Sequence, residues 1–194
     1  MDRGIFTPFL AAALALVPTI AAAHPGPGDA HDVVQGFMHP LGGIDHVLAM
    51  VAVGILAAQL GGRALWLIPA SFVLTMAAAA LLGMTDVTFP FVEAGIALSV
   101  TMLGAIIALR VDLPLATATA IVAVFAAFHG YAHGAGMPET LSGLFYGLGF
   151  VAATIALHAV GIGLGSLARS PRIAQIGGAA IAVAGVAVLT HLVS

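Results

Sequence analysis

The 194-residue chain is 61% hydrophobic and only 7% charged, with a mean hydropathy of +1.16, which excludes an ordinary soluble domain and predicts an all-α, polytopic membrane protein. Its five basic residues are all arginines (Arg3, Arg63, Arg110, Arg169 and Arg172) and its formal net charge is −3, so there is no basic patch for nucleic acid. The cysteine count is zero, which excludes a disulfide framework and thiolate ligands and leaves nitrogen and oxygen to hold any metal.

The first element reads as a secretory signal over residues 1–23. Arg3 precedes an apolar stretch from Ile5 to Ala22, and Ala21-Ala22-Ala23 supply a small-residue cleavage site ahead of His24. The alternative is a retained first helix, since Ile5 to Ala23 just spans a bilayer if Pro8 and Pro18 are tolerated. Residues 24–194 then read as a single six-helix transmembrane domain, opening with a polar, proline- and glycine-rich periplasmic leader at 24–36. Six apolar runs follow at about 40–60, 64–83, 90–109, 114–133, 141–165 and 173–192, each roughly 20 residues and long enough to cross the hydrocarbon core. Short turns separate them, marked by Gly61-Gly62, Gly83, Pro90, Pro114, Pro138 and Pro171. Small residues at four-residue spacing, such as Gly143 with Gly147 and Gly161 with Gly165, allow close helix approach within the lipid bilayer, inside one chain or in a homo-oligomer.

Arginines are retained on the cytoplasmic side. Arg63 lies in the first turn, Arg110 in the third, and Arg169 with Arg172 in the fifth, so the odd turns are cytoplasmic and both mature termini face the periplasm. Each histidine thereby acquires a depth. His39 sits at the outer mouth and His46 about 10 Å inside the first helix, at 1.5 Å per residue. The fourth helix runs outward, placing His133 at its outer end and His129 one turn deeper. Glu93 enters at the outer end of the third helix, and His191 leaves at the outer end of the sixth. His158 lies most of the way toward the cytoplasm, as a lower relay position or a helix-to-helix hydrogen bond.

His129 and His133 are four apart and share one helical face. Gly130 stands where a zinc-protease helix carries glutamate, which disfavours metal-assisted peptide hydrolysis. His39 and His46, seven apart, are expected on one face, with Asp45 either ligating or accepting the second ring N–H of a histidine. Pro40 suits a first helical turn, and Gly42-Gly43 allow the backbone to bend so that both rings reach a common point. Each histidine alone reads equally as a ligand or as a buried, hydrogen-bonded structural group. Four of them with Asp45 and Glu93 at one depth favour a site, because lipid penalises such residues. Glu93 is also explained by the dipole at its helix start. If signal cleavage frees His24, its amine and imidazole, with Asp29, His31 and Asp32 nearby, form either a metal-collecting segment or a solvated leader. Imidazole and carboxylate without sulfur suit Ni²⁺, Co²⁺, Zn²⁺ or Cu²⁺ as a bound or transported ion rather than a prosthetic group, and Met38, Met84 and Met137 keep copper(I) as a lesser reading. Trp66, Tyr131 and Tyr146 read as interface anchors.

Together, His39-x5-Asp45-His46 and Phe128-His129-Gly130-x-Ala132-His133-Gly134 resemble the HupE/UreJ family of bacterial nickel transporters, small inner-membrane proteins with a cleaved signal and six helices. The resemblance covers essentially the whole mature chain. It implies functional roles for His39, Asp45 and His46, for Glu93, for His129 and His133, and, at an aromatic position of the second helix, for Phe72. It further implies a permease supplying nickel, or cobalt, for metalloenzyme maturation. One departure stands out: the family's second motif continues His-Gly-x-Glu, whereas this chain has His133-Gly134-Ala135-Gly136, leaving Glu139 as the nearest substitute. With no lysine anywhere there is no nucleotide-binding loop, so transport would be passive or coupled to the membrane potential or another ion. Two other classes compete: an intramembrane zinc-dependent hydrolase using Asp45 or Glu93 as base, and a metal-sensing or metal-delivering membrane subunit.

Overall fold

The computed structural model of the chain describes residues 29–85, 87–137, 141–168 and 170–192. The signal-peptide reading, His24, Asp86, Glu139 and Arg169 fall outside these described residues. Within them the protein is all-helical: α1 (Asp29–Gly42), α2 (Ile44–Leu60), α3 (Ala64–Gly83), α4 (Val92–Leu109), α5 (Leu115–Ala135), α6 (Leu141–Leu167) and α7 (Pro171–Leu192). Helices α3 to α7 are each long and apolar enough to cross a membrane, and α1 with α2 form a pair, bent between them, that has the length and apolarity of a broken span or a re-entrant loop. The protein is therefore a polytopic helical membrane protein, and α2 to α7 fall within a few residues of the six apolar runs.

The first run differs from its expected form. Instead of one helix from about residue 40, the chain makes two helices bent by 85° around Gly43, whose φ of −105° and ψ of 117° are extended. The polar leader is thus partly helical, and Pro40 lies near the end of α1 rather than in a first turn. His39 and His46 consequently do not share a helical face; the bend, not the seven-residue spacing, turns both toward the interior. The helix α1 exists because Val33, Gly36, Phe37 and Pro40 recur at i, i+3, i+4 and i+7, a helical stripe. That stripe lies on α6: a Cβ on Gly36 would overlap the Tyr146 carbonyl, and one on Gly149 would overlap the Val33 carbonyl.

Glycine contacts of this kind set the whole arrangement, since lipid gives little hydrophobic drive between helices and close van der Waals packing must hold them. Gly130 and Gly134 press α5 onto the backbone of α3 at Met76 and Ala80. Gly54 and Gly161 let α2 and α6 cross in backbone contact, and Gly104 and Gly178 do the same for α4 and α7. The apolar core fills the space between with fully buried Phe72, Met50, Leu56, Ile68, Leu103, Ile107 and Val122.

The two ends of the bundle differ in chemistry. Arg63 follows α2, Arg110 caps α4 with a left-handed φ of 50°, and Arg172 lies in the first turn of α7. At this arginine end Gln59, Arg110, Gly165 and Pro171 line a cavity of about 250 Å³. The opposite, histidine end has a cavity of about 270 Å³ lined by Asp32, Gln35, His39, Gly136, Ser142 and Tyr146.

Candidate metal site

From that second cavity a row of imidazoles leads inward. His39 is exposed at the mouth, its ring 5.0 Å from that of His133, centroid to centroid. His133 is 4.6 Å from His46, and His46 is 5.0 Å from His129, which is fully buried. Three elements thus supply four rings: α1 gives His39, α2 gives His46, and α5 gives both His129 and His133. Two imidazoles bound through nitrogen to one tetrahedral cation at about 2.0–2.1 Å have centroids roughly 5 Å apart, so each neighbouring pair here has the spacing of a shared ion. Among the described residues no three His, Asp or Glu groups form a ready-made ligand shell; the arrangement is a succession of pairs.

The α5 motif places its histidines through its glycines. Each imidazole is followed by a glycine, and successive helical residues point about 100° apart. With Gly130 and Gly134 locked against the α3 carbonyls, rotation of α5 is fixed and His129 and His133 are turned toward α2. At the bend, Gly43 performs a similar service. A Cβ there would lie 2.8 Å from Asp45 Oδ1 and 2.9 Å from His46 Nδ1, so glycine leaves room for that pair.

The hydrogen bonds define which nitrogens are available. Asp45 Oδ1 accepts from the His46 backbone N–H at 2.9 Å and from the His46 ring Nδ1–H at 2.8 Å. A carboxylate only accepts, so the His46 proton sits on Nδ1 and its lone pair on Nε2. Ser99 on α4 donates its single hydroxyl proton to the Ile96 carbonyl at 2.6 Å and lies 3.0 Å from His129 Nε2. With that proton committed, Ser99 Oγ accepts from His129 Nε2–H, which leaves the lone pair on Nδ1. Among the described residues, both lone-pair nitrogens, His46 Nε2 and His129 Nδ1, are buried without a hydrogen-bond partner, as is His133 Nε2. Buried polar atoms are normally paired, so three unpaired nitrogens on adjacent rings single out this row as the candidate site.

Other sequence candidates lie elsewhere. Glu93 is exposed in the first turn of α4, and it is Ser99, farther along that helix, that meets the row at His129. His191 is exposed near the end of α7, and Gly136, where the resemblance expects an acid, lines the mouth beside Asp32. Phe72 is fully buried, with its ring 5.7 Å from His129 and 5.1 Å from His158. Tyr146 and Phe150, one turn apart on α6, flank the outer rings: Tyr146 lies 5.7 Å from His39, and Phe150 lies 4.2 Å from His133. Ser99 and Phe150 gave no motif signal. A serine inside an apolar span is an ordinary helix-packing residue, so nothing in the sequence separates Ser99 from the other hydroxyl residues of the spans.

A membrane-embedded helical bundle with an internal histidine row is the class these features define. The family model described as HupE / UreJ protein matches residues 12–188. The chain is also 45% identical over 181 residues, 92% of its length and 94% of the relative's, to Protein HupE of Rhizobium leguminosarum bv. viciae. It belongs to the HupE/UreJ family. No solved structure matches it significantly.

Proposed function

We propose that this protein is an inner-membrane permease that takes up Ni²⁺, or a similar borderline ion such as Co²⁺, and passes it along the histidine row to the cytoplasm. The observation that carries the reading is the pair of partnerless lone-pair nitrogens, His46 Nε2 and His129 Nδ1, on rings 5.0 Å apart whose tautomers are set by Asp45 and Ser99. Carboxylate-held imidazoles are the usual way to orient and strengthen nitrogen ligands. His39 and His133 receive the ion from the mouth, and Asp45 supplies compensating charge. Glu93 and, if the signal is cleaved, His24 attract cations at the periplasmic surface. With the arginine end cytoplasmic, an inward-moving dication gains about 4.6 kcal/mol per 100 mV, twice the unit-charge value.

A hydrolase is the weaker reading on geometric grounds. Of its two candidate bases, Asp45 is committed to His46 and Glu93 is exposed away from the rings. The test is uptake of radiolabelled nickel and cobalt by proteoliposomes. Voltage-dependent uptake that disappears in His46→Ala and His133→Ala supports the permease; saturable binding with no uptake by the wild-type chain would replace it with a sensor.

A further inference from the structure

Beyond the four outer rings lies a fifth imidazole that the row does not include. His158 is 1% exposed, and among the described residues neither of its buried ring nitrogens has a hydrogen-bond partner. This sets it apart from His46, held by Asp45, and His129, held by Ser99. A structural histidine inside a helical bundle has its N–H donated somewhere; this one has neither a carbonyl nor a hydroxyl to receive it. Leaving a buried donor and a buried acceptor unpaired is costly, so a histidine of this kind calls for an explanation beyond packing.

Its surroundings resemble a station on a path. Along α6, Tyr146, Phe150, Thr154 and His158 recur every four residues, and the first two flank His39 and His133. On the facing stretch of α3, Met76 and Phe72 are also four apart. Thr154 Oγ1 lies 3.9 Å from Met76 Sδ, and the Phe72 ring lies 5.1 Å from His158 and 5.7 Å from His129. Thr154, one turn before His158 on α6, donates its hydroxyl to the Phe150 carbonyl at 3.0 Å and keeps its oxygen lone pairs beside the Met76 thioether, and the Phe72 ring packs against both His158 and His129, the last ring of the outer row. The His158 backbone packs on Gly54 of α2. Five residues farther along α2, about 7.5 Å at 1.5 Å per residue, Gln59 Oε1 is again buried without a partner and Gln59 lines the cavity at the arginine end.

We infer that His158, backed by Thr154 and Met76, is a second coordination site for a divalent transition metal, placed between the outer histidine row and the cavity at the arginine end. The inference rests on the permease reading for its role, and on the empty ring nitrogens for its existence. Phe72 then separates two stations, so that an ion leaves His129 only as His158 becomes reachable.

The chain's lack of cysteine allows a direct test. In His158→Cys the new thiolate is unique, and Co²⁺ added to the purified full-length protein is expected to develop a thiolate-to-cobalt charge-transfer absorption that the wild-type chain lacks. His158→Gln, which keeps bulk and hydrogen-bonding capacity but is a poor ligand, is expected to retain nickel affinity at the outer row within about twofold and to lose uptake at least about tenfold. Absence of the charge-transfer band in His158→Cys, or wild-type uptake by His158→Gln, would overturn the inference. Failure of the permease reading is separate: the band still appears, while the wild-type chain shows no uptake.

Discussion

The histidine half of the bundle and the arginine half use the same backbone device for different ends. At both, glycines bring helices into carbonyl contact, yet in the histidine half the glycines of α5 are interleaved with imidazoles, so close packing and ligand direction are set by one helix rotation. In the arginine half Gly104 and Gly178 join α4 to α7 against the Ala182 and Ala108 backbone and the Ile107 side chain, and packing alone is served. A small residue in a membrane helix is thus ambiguous until its neighbour in sequence is read. The pairs His129-Gly130 and His133-Gly134 couple a contact to the direction of an imidazole, whereas Gly104 holds only a contact.

The largest expected effect breaks the histidine half outright: His46→Ala removes the ring that meets both His129 and His133, and radiolabelled nickel uptake should fall to background with the fold intact by size-exclusion elution. Next, Gly130→Ala forces a methyl into the Met76 carbonyl. It is expected to destabilise the bundle by about 1–3 kcal/mol, the usual range for overpacking, and to abolish uptake, because the two imidazoles rotate with α5. Thermal unfolding in detergent alongside transport checks both. Asp45→Asn keeps the shape but weakens the control of the His46 tautomer. Equilibrium binding should weaken by about 10–100-fold, as for other carboxylates behind a metal-bound imidazole. The smallest effect is expected from Ser99→Ala, which removes a single neutral acceptor from His129 and should weaken binding by about fivefold, on the scale of about 1 kcal/mol for one such bond. Equal losses from Asp45→Asn and Ser99→Ala would show that the two tautomer constraints are not ranked by charge.

Much of the fold was legible because membrane spans announce themselves by length and apolarity: α3 begins and ends at the residues expected of the second run, and the arginine-bearing turns gather at one end. What escaped was α1. A segment opening with Asp29, His31 and Asp32 has no hydropathy signal, and its helical stripe of Val33, Gly36, Phe37 and Pro40 is visible only once α6 is there to receive it. The bend expected at Gly42-Gly43 is present, but with α1 formed it is an 85° corner between two helices, so His39 and His46 converge across that corner rather than on a shared face. At the site, motif spacing identified the four rings and Asp45. It did not identify Ser99 or Phe150, which come from α4 and α6 and are brought in by tertiary packing. Depth and the family resemblance both pointed to Glu93, but neither fixes which way a side chain turns, and it is exposed in the first turn of α4.

The central claim is that imidazole nitrogens from α2 and α5 meet one cation. X-ray absorption at the nickel edge of the loaded, purified protein tests it most directly. Scattering from at least two imidazole rings at about 2.0–2.1 Å, reduced by one ring in His46→Ala, is the predicted result. A spectrum showing oxygen neighbours only, unchanged by that substitution, would contradict it.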